Sequence, residues 1–403
     1  MTDIFTPVTE DEAADIVREC ATSKTALQVS GGNTRAGFGN SVAADATLSS
    51  LGLSGIVSYT AAEMVITVRA GTAVSVIQAA LAENRQMMAF EPMDHRGIMG
   101  TTGEPTIGGI FAANVSGPRR YVAGAARDSL LGTRFINGAG EVIKAGGRVM
   151  KNVTGLDLSR LLAGSYGTLG LLTEVTFRVL PKPPVERTVV ISGLDDEAAT
   201  TVMAGAMALS VEVSGAAHLP ESVRSRFLGG VLPEGPATIL RLEGLGPSVE
   251  ARAQKLLSVM DRVGPWVVLE DEESNLLWQQ VRDVAPYHGQ ATKPLWRVSV
   301  APGAGHRLVA ALRMEAGIDA FYDWQGGLVW MQMEADPEAD LLRGAIRAFG
   351  GGHATLLRAD DTMRSTIDAF EPRSAPETLL SVRIKEKLDP AGIFNPGKMT
   401  RAA

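Results

Sequence analysis

The chain has almost no cysteine: one, Cys20, in 403 residues. That excludes an intramolecular disulfide and any zinc or iron–sulfur centre built on several thiolates of this chain. Cys20 falls in a helical pattern and reads as buried filler rather than a nucleophile. Histidine is scarce too. His95, His218, His288, His306 and His353 are scattered, with no HxH or HExxH spacing, so no metal site is expected. Excess positive charge is missing. The 38 Lys and Arg against 45 Asp and Glu leave a net −7, which argues against nucleic acid as a partner. No apolar run approaches the ~18 residues needed to span a bilayer, so no transmembrane segment is expected. No basic stretch precedes an apolar one near the N-terminus. No signal peptide is expected, and the expected location is cytoplasmic. The common nucleotide and hydrolase fingerprints GxGxxG, GxxxxGK[ST] and GxSxG are also absent.

Glycine is abundant instead: 44 residues, against an average near 7% of a chain. Sixteen of them fall between Gly97 and Gly170. Such density usually means backbone brought close to something. The length suggests two domains, or three, at ~150 residues each. Thr9 to Glu12 form a capping box before the helix-period run Ala13, Ile16, Val17, Cys20. Residues 26–30, 56–59 and 64–69 read as strands, and Thr72 as the cap of a helix over 74–84. Residues 97–127 read as a long loop of weak periodicity, which in a compact domain points to function. A hairpin turning at Gly138 and Gly140 follows, then a short helix over 156–162 and a strand over 171–180. Pro181, Pro183 and Pro184 read as a stiff boundary. Beyond it strands and helices alternate, as expected of an antiparallel sheet with helices on one face. Two ferredoxin-like halves are one arrangement consistent with that order.

Two loops stand out. In the first, a strand ends at Ser30 and runs into Gly31, Gly32, Asn33, Thr34 and Arg35. Successive backbone N–H groups in such a turn can form an anion nest. In the second, Thr106 precedes Ile107, Gly108 and Gly109. Thr106 can cap a short helix whose glycine-lined N-terminus would accept a phosphate closely. Asn114, Ser116 and Gly117 end that helix in a second turn, and Arg119 and Arg120 are expected to face an anion or a partner protein, or equally to form a solvated surface pair.

These loops carry a resemblance. The chain resembles the FAD-binding PCMH, or vanillyl-alcohol oxidase, family, in which a glycine-rich turn and a later TIGG-type loop wrap the FAD pyrophosphate. The match continues through residues 127–132, the Gly138–Gly140 turn and residues 164–174. Residues 388–398 are similar to the tail of the D-2-hydroxy-acid branch, which returns to the flavin domain. Residues 116–120, 149–160 and 352–357 resemble the FAD subunits of three-part oxidases within that branch. The resemblance implies an α+β fold: a PCMH-type FAD-binding domain of two α+β subdomains over 1–181, an α+β cap with an antiparallel sheet over 182–360, and a C-terminal helix and tail over 361–403. It implies FAD held by Ser30, Gly31, Gly32, Asn33, Thr34 and Arg35 on one side. Gly103, Thr106, Ile107, Gly108 and Gly109 would hold it on the other. Asn114, Gly117 and Gly124 would shape the loop beside the isoalloxazine, and Leu171 and Leu172 would meet the adenine end. Neither loop has the His or Cys used elsewhere in the family for covalent attachment, so noncovalent FAD is expected.

The implied reaction is oxidation of glycolate, or a similar 2-hydroxy acid, to the 2-oxo acid. The implied partners are a second FAD subunit carrying the metal and catalytic motif, and an iron–sulfur subunit. Through them the chain could sit peripherally at the inner membrane. Catalytic relatives carry an HxxGDGNxH-type segment and an EHGxG segment. Here residues 350–357 hold His353 alone, and residues 369–373 hold no EHG. Direct flavin reduction by substrate and electron relay from the sister subunit therefore both stand. His353, Lys398 and Lys151 are the candidate catalytic side chains, each weighed against packing or a surface position. The rival readings are a non-catalytic scaffold with a decayed flavin site and a nicotinamide-dependent reductase of the same fold.

Overall fold

The computed structural model describes residues 3–147, 156–290 and 292–401. Two small α+β units come first. In one, Ala46–Ser49 is the central strand of a parallel sheet between Asp3–Phe5 and Leu27–Ser30. Helix Glu10–Ser23 covers it with Ala13, Ala14, Val17 and Cys20, one face at helical spacing. Thr9 caps the helix by accepting from the Glu12 N–H. The Glu12 carboxylate reaches back to the N–H of Val8, one residue earlier than a capping box requires.

The second unit is a five-stranded antiparallel sheet in the order Ile56–Thr60, Val65–Arg69, Leu171–Arg178, Leu130–Ile136 and Val142–Gly146. Helices Val74–Glu83 and Ile107–Ala112 pack on it through Ile77, Leu81, Ile110 and Phe111. Thr72 does not cap the first of these helices. Its hydroxyl donates to the Arg69 carbonyl (2.6 Å) and accepts from the Gly55 N–H (2.9 Å), tying two strand ends together. The stretch expected to be a loop holds short helices, Arg96–Met99, Ile107–Ala112, Arg120–Ala123 and Ala126–Ser129. They are too short for apolar periodicity to reveal them.

The proline-rich segment is a tie rather than a spacer. Leu180–Pro181 pairs with Gln86–Met87, and strand Val185–Ser192 begins at once. An antiparallel sheet of eight strands follows. Its first half runs Val185–Ser192, helix Asp196–Ala208, Gly215–Leu219, Ala237–Gly244, helix Gly246–Met260, Trp266–Glu270. Its second half repeats this β-α-β-β-α-β order: Leu295–Val300, helix Gly305–Arg313, Ile318–Asp323, Leu328–Met333, helix Ala339–Ala348, Gly352–Arg358. The halves join at one bridge, His218 opposite Tyr322. Side chains alternate between faces, as pleating demands. Val189, Ile191 and Leu240 meet the helices, while Val190, Ile239 and Phe321 enter the core shared with Ile66, Phe111 and Phe177 of the five-stranded unit. The sheet is therefore fused onto the first part of the chain.

A buried ionic cluster strengthens that junction. Glu91 accepts two hydrogen bonds from Arg241 of the large sheet (2.9 and 3.0 Å) and one from the backbone of Arg119 (2.9 Å). Arg119 in turn binds Glu243. The C-terminal tail returns to the first sheet. The Leu27 N–H donates to Ile393, the Asn395 N–H donates to Leu27, and Phe394 bridges Leu27 in parallel. Asp389, 2% exposed, holds this turn by accepting from the N–H groups of Ile393 (3.1 Å) and Phe394 (2.8 Å).

Candidate functional site

A cavity of about 150 Å³ opens where the two first units, the tail and the start of the short helices meet. Ser30, Gly31, Gly32, Asn33, Thr34 and Arg35 line one wall, and Thr106, Gly108, Gly109, Leu171 and Leu172 another. Phe38, Tyr166, Asn395 and Lys398 complete it. The first loop follows directly from its sequence. The strand stops at Ser30, two glycines turn, and Asn33 adopts φ 55°, a region asparagine tolerates. Among the described residues the backbone N–H groups of residues 31–35 donate to no acceptor. They form an open row of donors on the cavity wall.

The two loops interlock. A Cβ on Gly31 would run into Thr106, and one on Gly32 into the Glu104 carbonyl. Gly103 backs onto the Gly32 carbonyl in the same way. The second loop does not work as its pattern suggests, however. The Ile107 N–H donates to Thr72 (3.0 Å) and the Gly108 N–H to Ala70 (2.8 Å). The Gly109 N–H faces its own cap, Thr106 Oγ1, at 3.4 Å. The helix N-terminus therefore has its donors engaged inside the chain. Gly108 is glycine because Ala70 lies against it, with a Cβ meeting Ala70 Cβ at 2.7 Å. Gly109 makes room for Arg35, whose Nη2 would lie 2.6 Å from a Cβ there.

Arg35 is the electrostatic centre of the cavity. Its Nη1 is buried without a partner. Burial pulls its pKa down to about 10, against the opposing pull of Tyr166 and Asp94. A guanidinium in that state is complementary to an anion. Lys398 donates to the Phe38 carbonyl. Burial, then Arg364 and Arg35, bring its pKa down to about 8. Phe38, Tyr166 and Phe370 stack with centroids 5.0–5.8 Å apart. Asn395 fixes the end of the cavity, accepting from the Val29 N–H (2.9 Å) and donating to the Tyr166 carbonyl (2.8 Å).

Other expected residues lie behind the wall. Ile107 is fully buried in the core. Asn114, at φ 50°, accepts from the Arg127 N–H at 3.0 Å. The Gly117 carbonyl accepts from the Trp324 indole (3.1 Å), and its Cα abuts Glu91. Gly124 ends the helix Arg120–Ala123 at φ 78°. His353 is exposed on strand Gly352–Arg358 and does not line the cavity. Lys151 lies outside the described residues, as does most of the motif over 149–160. Phe38, Tyr166 and Asn395 were not singled out from sequence. Only the Gly164–Gly170 and tail motifs pointed at their neighbourhood. No group of three or more His, Cys, Asp or Glu able to hold a metal occurs among the described residues.

Comparison with known proteins accounts for this architecture. The FAD binding domain family matches residues 3–146. The glycolate oxidase subunit GlcE of Escherichia coli (strain K12) is 35% identical over 387 residues, covering 95% of each chain. The chain belongs to the GlcE family of FAD-binding oxidoreductases. A glycolate oxidase subunit GlcD of Bacillus subtilis (strain 168) is 29% identical over 185 residues, 44% of this chain and 39% of that one. Among solved structures, p-cresol methylhydroxylase with substrate bound superposes with a TM-score of 0.71 at 15% identity, over 99% of this chain and 88% of that one. The fold is thus the PCMH-type α+β fold, and FAD is the cofactor. The free N–H row and the unpartnered Nη1 of Arg35 fit the diphosphate of that cofactor. No helix among the described residues is long and apolar enough to cross a membrane.

Proposed function

We propose that this chain is the FAD subunit of a multi-subunit oxidase that converts glycolate, or a similar 2-hydroxy acid, to the 2-oxo acid. The observation that carries the reading is the cavity itself: an unused row of backbone donors next to a buried, unpaired guanidinium, in a chain similar to GlcE along 95% of its length. When bound, FAD supplies a two-electron acceptor. The N–H groups of residues 31–35 and Arg35 hold its diphosphate. Phe38 and Tyr166, backed by Phe370, form an apolar wall that excludes water, and Asn395 ties the tail across the end. Lys398 would place positive charge on the same wall, next to the group that accepts the electrons. Attachment is noncovalent, because neither loop carries a His or Cys.

The partners in this reading are a second flavin subunit of the GlcD kind and an iron–sulfur subunit. A chain with one cysteine needs another protein to carry electrons onward by cluster. The complex is cytoplasmic and attaches peripherally at the inner membrane. The domain limits 1–181, 182–360 and 361–403 describe its functional parts. The test is the visible spectrum of the purified chain, before and after acid precipitation. Bound flavin that is released into the supernatant is expected. A colourless protein that takes up no FAD would refute the reading and favour a scaffold. Anaerobic addition of glycolate, D-lactate or NADPH to the assembled complex then identifies the donor. Bleaching by NADPH alone would favour a reductase.

A further inference from the structure

Arginines deep in this protein generally have partners. Arg241 and Arg119 bind Glu91 and Glu243. Arg226 binds Asp319. Arg343 faces Glu371 at 3.6 Å and donates to the carbonyls of Asp368 and Phe370. Arg358 donates to the carbonyls of Ile98, Tyr287 and Lys293. Arg35, assigned above to the diphosphate, is one exception, and Arg120 and Arg297 are two more. Among the described residues neither guanidinium donates a hydrogen bond or pairs with a carboxylate. Both instead stack on one indole, Trp324, with the guanidinium carbons 4.8 and 4.9 Å from the ring centroid. They come from different parts of the chain. Arg120 opens the short helix Arg120–Ala123, and Arg297 sits on strand Leu295–Val300 of the large sheet.

Two cations gathered on one ring without a counter-ion is a costly arrangement. Burial and the neighbouring Arg120 bring the Arg297 pKa down to about 10. The nearby acid, Asp323, is no full counter-charge. One of its oxygens accepts from the Trp324 N–H (2.7 Å), and burial pushes its pKa up to about 7. The pair is complementary to a small anion that accepts from two forks at once.

The sheet register shows what lies beside them. Arg297 is opposite Thr355, and Ser299 is opposite His353. These side chains share one face, since Trp296, Val298, Ala354 and Leu356 fill the helix-side core on the other. His353 makes no hydrogen bond among the described residues. Desolvation, then Arg297 and Arg120, keep its imidazole below its usual pKa and therefore neutral, against the pull of Glu371. Arg297 also reaches the flavin cavity electrically. Tyr166, on the cavity wall, feels both Arg297 and Arg35, and so does buried His95. His353 is exposed, and Arg120 and Arg297 are half-buried.

We infer that Arg120 and Arg297, converging on Trp324 beside His353, form a binding site for the carboxylate of a small 2-hydroxy acid on this chain. The subunit then takes substrate itself instead of only relaying electrons. In this arrangement the two guanidinium groups hold the carboxylate. The neutral imidazole is available to accept a hydrogen bond from the neighbouring hydroxyl.

The inference rests on the flavin reading above, and the experiment separates the two. The purified chain is first scored for bound FAD and is then titrated calorimetrically with oxalate in chloride-free buffer. Oxalate offers the carboxylate without an oxidisable α-hydrogen. Saturable binding is expected. Arg297→Met and Arg120→Met should each weaken it by about tenfold or more, the loss of a charge-assisted hydrogen bond. Arg297→Lys should recover part of the loss. Arg307→Met, which removes a cation stacked on Phe349 (5.9 Å) on the helix layer, should bind like the parent. Melting temperature and flavin content verify folding of each variant. A flavin-loaded chain that gives no saturable heat overturns the site and leaves the flavin reading intact. Equal affinity in all variants also overturns it, as does tight binding that only Arg307→Met removes. A chain without flavin overturns the earlier reading, and the same titration still decides the arginine site.

Discussion

Replacing Glu91 by Gln should uncouple the large sheet from the flavin unit. Gln is close in size to Glu, so the change removes charge without opening a cavity. In the parent, Glu91 accepts both forks of Arg241 and the backbone of Arg119. Arg241 is 1% exposed. Burial opposes ionisation of Glu91, yet Arg241 and Arg119 prevail and bring its pKa down to about 2 from 4.5. At 1.36 kcal/mol per pKa unit that difference is worth about 3 kcal/mol. The figure agrees with the ~3–5 kcal/mol lost when one partner of a buried ion pair is removed. The sign is that of a depressed carboxylate. Its contribution is fully present above pH 4.5 and is lost as pH falls towards about 2. Urea unfolding of both proteins should therefore differ by about 3 kcal/mol at pH 7, with the gap narrowing as pH drops below 4.5. Trp278 is a local reporter, since Arg241 stacks on its ring at 4.7 Å. A loss under about 1 kcal/mol, or a gap that does not change with pH, would refute the coupling argument.

Arg35→Met should raise the dissociation constant for FAD by about tenfold or more, read by flavin fluorescence during reconstitution; an unchanged constant would remove Arg35 from the diphosphate site. Gly32→Ala should abolish flavin retention, because a Cβ there collides with the Glu104 carbonyl and must displace the loop. Gly108→Ala should chiefly cost stability, about 1–3 kcal/mol by thermal melting, since its Cβ meets Ala70 at 2.7–2.8 Å. Equal flavin loss with an unchanged melting temperature would restore the phosphate role for Gly108. Asp196 sits 3.3 Å from His218 and accepts from Tyr322 (2.5 Å) and Arg313 (3.0 Å), where the two halves of the large sheet meet. Its pKa is held near 2, against burial, by the nearby His218, the Tyr322 hydroxyl and Arg313. Asp196→Asn should lose about 2 kcal/mol above pH 3.8, fading as pH falls through about 2, and calorimetry across that range checks it.

The contrast between Gly32 and Gly108 also marks how far the sequence could be read. A strand ending in two glycines, Asn33 and Thr34 has a local cause, and the open N–H row follows from the same few residues. The glycines at 108 and 109 look alike in sequence but answer to distant neighbours, Ala70 and Arg35. Only the fold reveals which donors the chain has already engaged. The same limit hides some strands of the large sheet from sequence patterning. Ile318–Asp323 ends in a buried acid, and Gly352–Arg358 begins on the last of three consecutive glycines. Trp266–Glu270 is an edge strand with an exposed, unpatterned side. Arg297 is the sharpest case. Within the strand around it, one arginine among apolar residues carries no signal of function. Its meaning comes from what it lacks: the carboxylate partner that Arg119 and Arg241 have found at the junction. A missing partner is a property of the assembled molecule, so a site defined by unpaired charge is the kind that sequence reading passes over.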